Sequence, residues 1–175
     1  SCLVGSEMCI RDRMSTFITK LTNIFHPDRF QGIDKQFQYF EGWYFKLVNQ
    51  SGTETIAVIP GIAMDEQGNK QAFIQVLDGK RKTAQYHKLP FESFTASKKA
   101  FAISIGENHF SSHSIQLNLE NINGSLRFNG NIPWPKYFLS PGIMGPYSFV
   151  PFMECYHGIV SMNHQIEGSL MLNGN

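Results

Sequence analysis

Glu154, Cys155, Tyr156 and His157 stand in a row inside SPGIMGPYSFVPFMECYHGIVSMNH (residues 140–164), with apolar and aromatic residues on both sides. A carboxylate, a thiol, a phenol and an imidazole in so oily a setting are groups that move protons where water is scarce. A second set lies in YFEGWYFK (39–46). On a strand, residues two apart share a face, so Glu41, Trp43 and Phe45 point one way and Phe40, Gly42, Tyr44 and Lys46 the other. The bland reading of this stretch is a core strand with Glu41 pairing or capping at one end. A third set, FHPDRFQG (25–32), reads as a polar turn in which Asp28 and Arg29 pair or cap.

The same alternation divides the first cluster. Glu154 goes with Tyr156, and Met153 and Cys155 go with His157. Cys155 and His157 on one face suggest a thiol nucleophile. Side chains two apart on one strand rarely meet unaided, however, and no orienting acid is identifiable. A metal pair at His157 and His164 is weaker still, because seven residues along a strand places them on opposite faces. No spacing of Cys or carboxylate completes a zinc set.

The elements that must position these groups read as strands. Residues 14–25, MSTFITKLTNIF, place Phe17, Ile18, Leu21, Ile24 and Phe25 at helical spacing and predict a short amphipathic helix. After Pro27 the period changes. Short runs rich in Phe, Tyr, Ile and Val predict strands over roughly 37–48, 54–64, 70–77, 83–88, 100–106, 110–120, 125–131, 155–162 and 165–172. Turn residues separate them at 49–52, 65–68, 78–79, 106–108 and 121–124. Many short strands joined by hairpin turns, with no βαβ alternation, imply an antiparallel all-β sandwich or barrel. Residues 132–151 hold five prolines and predict a long ordered loop, either a lid or a packed segment.

Composition narrows the classes. The net charge of +1 gives no electrostatic reason to expect nucleic acid. Fifteen Phe predict a large apolar core, an apolar pocket, or both. No apolar run reaches the roughly 18–20 residues of a membrane-spanning helix. Residues 1–13, SCLVGSEMCIRDR, have neither a period nor the apolar core of a secretory signal. They read as a non-native, disordered adaptor-like leader before Met14, which leaves 14–175 as the β domain with Cys155 as its single cysteine. That is compatible with a reducing compartment, cytoplasmic or peripheral to a membrane. The final Asn-Gly is a turn signal without a following strand, which predicts a chain truncated at its C-terminus.

The stretches YFEGWYFKLV (39–48) and SPGIMGPYSFVPFMECYHGIVSMNHQIEG (140–168), in the order HPDRFQG, FEGWYFK, proline-rich loop, MECYHG, closely resemble the tocopherol cyclase family. The resemblance runs from about His26 to the last residue, and family members continue through a second half. It implies a calycin- or lipocalin-like β-barrel architecture acting on isoprenoids. The implied reaction closes a chromanol ring: a prenylated hydroquinone is protonated at its side-chain double bond, and the phenol oxygen captures the tertiary cation. No redox cofactor or metal is implied. Such chemistry needs a well-placed acid, aromatic faces for the cation, and exclusion of water. The chain offers Glu154, His157 and Glu41 as acids and Trp43, Tyr44, Tyr156 and Trp134 as rings. If the site is shared between two halves, this chain alone is inactive. Two other readings remain open: a hydratase-like relative in which water captures the cation, and a calycin-like carrier for a hydrophobic isoprenoid. The partner in each case is a small apolar molecule, with peripheral membrane contact compatible with all three.

Overall fold

A computed structural model of the chain describes residues 25–150 and 157–172. These fall into two compact units. One comprises residues from Phe30 to Asn129 together with those from Ile166 onward; the other comprises those up to Arg29 together with Gly130–Gln165.

The larger unit is all-β. In chain order its strands are β1 (Tyr39–Gly42), β2 (Phe45–Val48), β3 (Thr55–Met64), β4 (Lys70–Asp78), β5 (Thr83–Pro90), β6 (Phe94–Ala96), β7 (Ala102–Ile105), β8 (Asn108–Ser111), β9 (Ser114–Leu119), β10 (Ile122–Asn129) and β11 (Gln165–Leu172). They form two separate sheets. The first runs β1-β3-β4-β5, with β2 also on β3; the second runs β11-β10-β9-β8-β7-β6. The paired registers are antiparallel, as hairpin connections require. The expected antiparallel all-β class is what the chain adopts.

Alternation decides which side of each strand is buried. In β3 and β4 the pairs Val58 with Val76, Pro60 with Ile74 and Ile62 with Ala72 point inward and are almost fully buried. In β9 the inward set is Ile115, Leu117 and Leu119, and Phe101, Ile103 and Ile105 lead into and line β7. The two sheets meet through rings: Phe45 of the first lies 5.9 Å from Phe101 and from Phe110 and 6.1 Å from Phe128 of the second.

β1 and β2 are one line of chain interrupted once. Gly42 faces Gly61 and Phe45 faces Val58, so the count between them is unbroken. Trp43 N–H donates to the Pro60 carbonyl at 3.0 Å, but Pro60 has no N–H with which to return the bond. The ladder therefore lapses over Trp43 and Tyr44 without changing register.

Several expected boundaries need correction. The predicted strand over 110–120 is two strands, β8 and β9, because Ser111 Oγ accepts the backbone N–H groups of His113 and Ser114 and turns the chain there. The predicted turn over 121–124 lies one step earlier, since Leu119 already pairs with Ile122 and Gly124 sits inside β10. The strand expected to reach residue 131 stops at Asn129, before Gly130 at φ +66°. The short strand β6 has no counterpart among the expected strands. The predicted helix over 14–25 lies outside the described residues, apart from Phe25 in a turn.

In the smaller unit, residues 132–150 form the irregular segment that their prolines predict, with one 3-10 turn at Gly145–Phe149. Lys136 Nζ donates to the Phe25 carbonyl at 2.6 Å, and the rings of Phe25 and Phe149 meet edge-on at 6.3 Å. The strand predicted over 155–162 does not form at residues 157–162. Gly158 packs against Pro27, so closely that a Cβ there would lie 2.6 Å from the proline ring. The chain beside it is proline-rich and offers few N–H groups to a ladder. Among the described residues a local clasp forms instead, in which Met162 donates to the Ile132 carbonyl at 2.8 Å and Ile132 donates to that of Asn163 at 3.0 Å.

Candidate functional site

Glu41 is the candidate acid whose surroundings are best defined. It sits on the inward face of β1, half-buried, two residues from the buried indole of Trp43. Its carboxylate is held by donors from a segment ten residues upstream. Gln31 N–H reaches both oxygens, at 3.1 Å to Oε1 and 3.0 Å to Oε2. Gly32 N–H donates to Oε2 at 3.1 Å and the Tyr39 hydroxyl donates to Oε2 at 2.7 Å. Oε2 thus takes three bonds, whereas Oε1 shares one donor.

The approach of the 30–32 segment depends on glycine. A Cβ on Gly32 would lie 2.4 Å from the Tyr39 ring and 2.7 Å from that of Phe30. Only a residue without a side chain brings its amide down to the carboxylate between those two rings.

Burial pushes the Glu41 carboxyl above its ordinary value; the bonds from Tyr39, Gln31 and Gly32 pull the other way without cancelling it. The Tyr39 phenol is raised as well, first by burial and then by the neighbouring Glu41 carboxylate, so it stays protonated and donates. The carboxyl therefore holds its proton to higher pH than an ordinary glutamate, and Oε1 is the less occupied of its two oxygens.

The rings near this end of the strand form a connected cluster. Phe30 lies 6.5 Å from Trp43 and 5.1 Å from Phe94, and Trp43 stacks on Phe94 at 6.4 Å and on Phe101 at 5.7 Å. Stacked and edge-on rings of this kind present negative faces as well as apolar surface.

The other expected site residues are placed differently. Tyr44 lies on the opposite side of the strand from Trp43 and is 63% exposed, so it does not line the same space. His157 and Trp134 belong to the smaller unit. His157 is exposed in irregular chain, its backbone N–H donating to Met144 Sδ at 3.1 Å; Trp134 is half-buried in the proline-rich segment. Glu154, Tyr156 and Cys155 lie outside the described residues. Of the expected set, the structure brings together Glu41 and Trp43. It adds Tyr39, Gln31 and Gly32 as partners of the acid, and Phe30, Phe94 and Phe101 as rings. Tyr39 was detectable in principle, since it shares the odd-numbered face with Glu41; Gln31 and Gly32 belong to the turn motif, but nothing local ties them to Glu41.

In the smaller unit, burial lowers the pKa of His26, and the nearby positive charges of Arg29 and Lys136 lower it further against the opposing effect of Asp28. This histidine is biased toward its neutral form, and Arg29 N–H closes the turn onto its carbonyl at 3.1 Å. The turn expected at FHPDRFQG is present.

Spaces among the described residues border the strands of the larger unit. One, of about 20 Å³, lies between Ile56, Val76, Gln85 and Ile122 and has room for about one water molecule. The other, an open depression of about 770 Å³, is lined by polar groups including Glu107, His109, Gln116 and Asn118. Neither suits a long isoprenoid chain: the first is too small and the second too polar. Among the described residues, no three His, Cys, Asp or Glu side chains cluster so as to hold a metal ion, and no helix is long and apolar enough to cross a membrane. No protein-family model, curated protein or solved structure matches the chain.

Proposed function

We propose that the protein is a tocopherol cyclase-like isomerase, in which a protonated carboxyl group delivers a proton to the side-chain double bond of a prenylated hydroquinone. The phenol oxygen then captures the tertiary cation, and the phenolic proton is released as the chromanol ring closes. The observation that carries this reading is the environment of Glu41. A half-buried carboxyl raised toward its neutral form, beside an aromatic cluster, is the combination that alkene protonation and cation stabilisation need. In this reading Glu41 is a candidate donor alongside Glu154 and His157, and Trp43 is a lining ring. Tyr39, Gln31 and Gly32 are positioning residues that fix the carboxyl.

A second reading is a calycin-like binding module for a hydrophobic isoprenoid. It is favoured by the saturation of Glu41 Oε2, which gives this residue a structural role in fastening the 30–32 segment to β1. The test is incubation of the protein with a prenylated benzoquinol in deuterated water. A chromanol bearing one deuterium on the former alkene carbon supports the cyclase. A tertiary alcohol selects a hydratase, and bound but unchanged ligand selects the binding module. Normal cyclisation by Glu41→Gln removes Glu41 as donor and leaves Glu154 and His157, to be tested by Glu154→Gln and His157→Ala.

A further inference from the structure

The outward faces of the two sheets differ in kind. On the second sheet the outward row is polar and continuous in register: Ser104 faces His109, which faces Gln116, which faces Ser125. This is the usual dress of a solvent-facing antiparallel sheet. The outward face of the first sheet is different. Phe40, Phe73 and Tyr86 stack across β1, β4 and β5 at 5.6 and 5.4 Å with nearly parallel planes. Phe73 is only 2% exposed because its ring lies over Gly61 and between the other two. The outer members stay open: Phe40 is 67% and Tyr86 52% exposed, and the outward Tyr44 and Val48 are 63% and 43% exposed. Gln71 Nε2 donates to the Tyr86 hydroxyl at 2.9 Å and fixes that ring.

The charges on this face have one sign. The outward positions of β1 to β5, read from the register, include Lys46 and Lys88 and no Asp or Glu. Lys88 is registered against Phe73, and Lys46 lies two residues from Tyr44. Exposed rings flanked by lysines, without a carboxylate, are complementary to a surface that is apolar below and anionic at its rim. A partner protein of ordinary composition does not require this one-sided charge.

We propose that the outward face of the first sheet is a docking surface for an anionic lipid bilayer. Phe40, Tyr44 and Tyr86 enter the interfacial region, and Lys46 and Lys88 meet the headgroups. The face lies on the opposite side of β1 and β2 from Glu41 and Trp43, so the proposal is independent of the chemistry assigned to those residues.

The experiment is co-sedimentation of the full chain with vesicles of phosphatidylcholine alone and of phosphatidylcholine mixed with phosphatidylglycerol. Sedimentation velocity without lipid is run in parallel. Binding is expected to the anionic vesicles and to be much weaker with the neutral ones. Lys46→Gln and Lys88→Gln each lower the partition coefficient about fivefold, the usual effect of one lysine at an anionic surface. Tyr44→Ser with Val48→Ser, both at exposed positions outside the ring stack, abolishes binding while leaving the thermal melt in place. Absence of vesicle binding by the parent chain overturns the proposal. So does binding that all these variants leave unchanged, since another surface is then responsible. Self-association that Tyr44→Ser with Val48→Ser abolishes, in a chain that ignores vesicles, also overturns it and makes the face a protein interface.

Discussion

Replacing Glu41 in two ways separates its charge from its shape. Glu41→Ala removes the acceptor for three donors: the amides of Gln31 and Gly32 and the hydroxyl of Tyr39. Each orphaned donor costs about 1 kcal/mol in a site that water can partly re-enter, so the total loss is about 2–3 kcal/mol. Glu41→Gln keeps an oxygen at the Oε2 position, where all three donors converge, and discards the charge that burial opposes. Because burial outweighs the hydrogen bonds at this carboxyl, the amide costs less than about 1 kcal/mol at neutral pH. The pH dependence follows from the same shift. A folded-state value raised above the ordinary 4.5 means that the native protein binds more protons than the unfolded chain between those two values. Stability relative to Glu41→Gln is therefore highest below about 4.5 and falls as pH rises through the folded value, after which it is level. Urea unfolding followed by tryptophan emission, from pH 4 upward for the parent and both variants, measures all of this. If Glu41→Gln costs as much as Glu41→Ala at neutral pH, or if parent stability rises relative to Gln as pH rises, the carboxylate is stabilised as an anion. The case for Glu41 as a proton donor then fails.

Four further outcomes follow from the same geometry. Tyr39→Phe removes a bond that lowers the Glu41 value, so the falling limb of the stability profile moves to higher pH; a move to lower pH contradicts the assignment. Gly32→Ala forces its methyl against the rings of Tyr39 and Phe30 and should cost about 1–3 kcal/mol in urea unfolding, with an unchanged midpoint refuting the tight approach. Gly124→Ala and Gly168→Ala each place a Cβ 2.2 Å from a backbone oxygen of the neighbouring strand, at φ +139° and +121°. Both should raise amide exchange along β11, with at least about 2 kcal/mol lost, and parent-like exchange there argues against the β10–β11 pairing. Phe45→Ala deletes a ring shared by Phe101, Phe110 and Phe128 and should cost about 3–5 kcal/mol, with a loss under about 1 kcal/mol showing that the ring cluster is not the core.

The sequence carries the parts of this fold that depend on alternation. Ile115, Leu117 and Leu119 recur at every second position, and burial of one sheet face is what such a pattern specifies. The separation of Glu41, Trp43 and Phe45 from Phe40, Tyr44 and Lys46 is legible for the same reason. What alternation does not report is where hydrogen bonding stops. The break at Pro60 lies across the sheet from Trp43, and the turn at Ser111 is made by a side-chain hydroxyl rather than by a glycine or proline. Gly124 reads as the end of a turn because glycine usually marks one. Here it answers the close approach of Ser169, a residue far along the chain. The error at 157–162 has the opposite origin. Gly158, Ile159 and Val160 read locally as strand, but no ladder partner is present beside them among the described residues. The acid site was half legible, since the acid and its ring lie in one motif. Its donors lie in another, brought close by a glycine whose need is visible only against Tyr39 and Phe30.

Gly42, Pro60 and Gly61 together explain why one stretch of chain can serve two surfaces. Gly42 and Gly61 face each other on the outward side, where the Phe73 ring lies over Gly61 and the Phe40 ring, stacked on Phe73, lies against Gly42. Without that ring, two opposed glycines would weaken the pairing that holds β1 in register; the cover is the kind of rescue an aromatic gives a glycine in a sheet. One residue further, Pro60 fills an inward position while accepting the Trp43 amide, which fixes the indole against Phe94 and Phe101. The outward rings thus secure the strand whose inward side carries Glu41. It follows that the exposed Phe40 has a structural reason to be aromatic, whereas Tyr44, exposed and outside the stack, has none within the described residues. Tyr44 is accordingly the side chain on this face whose character speaks most directly for an external surface.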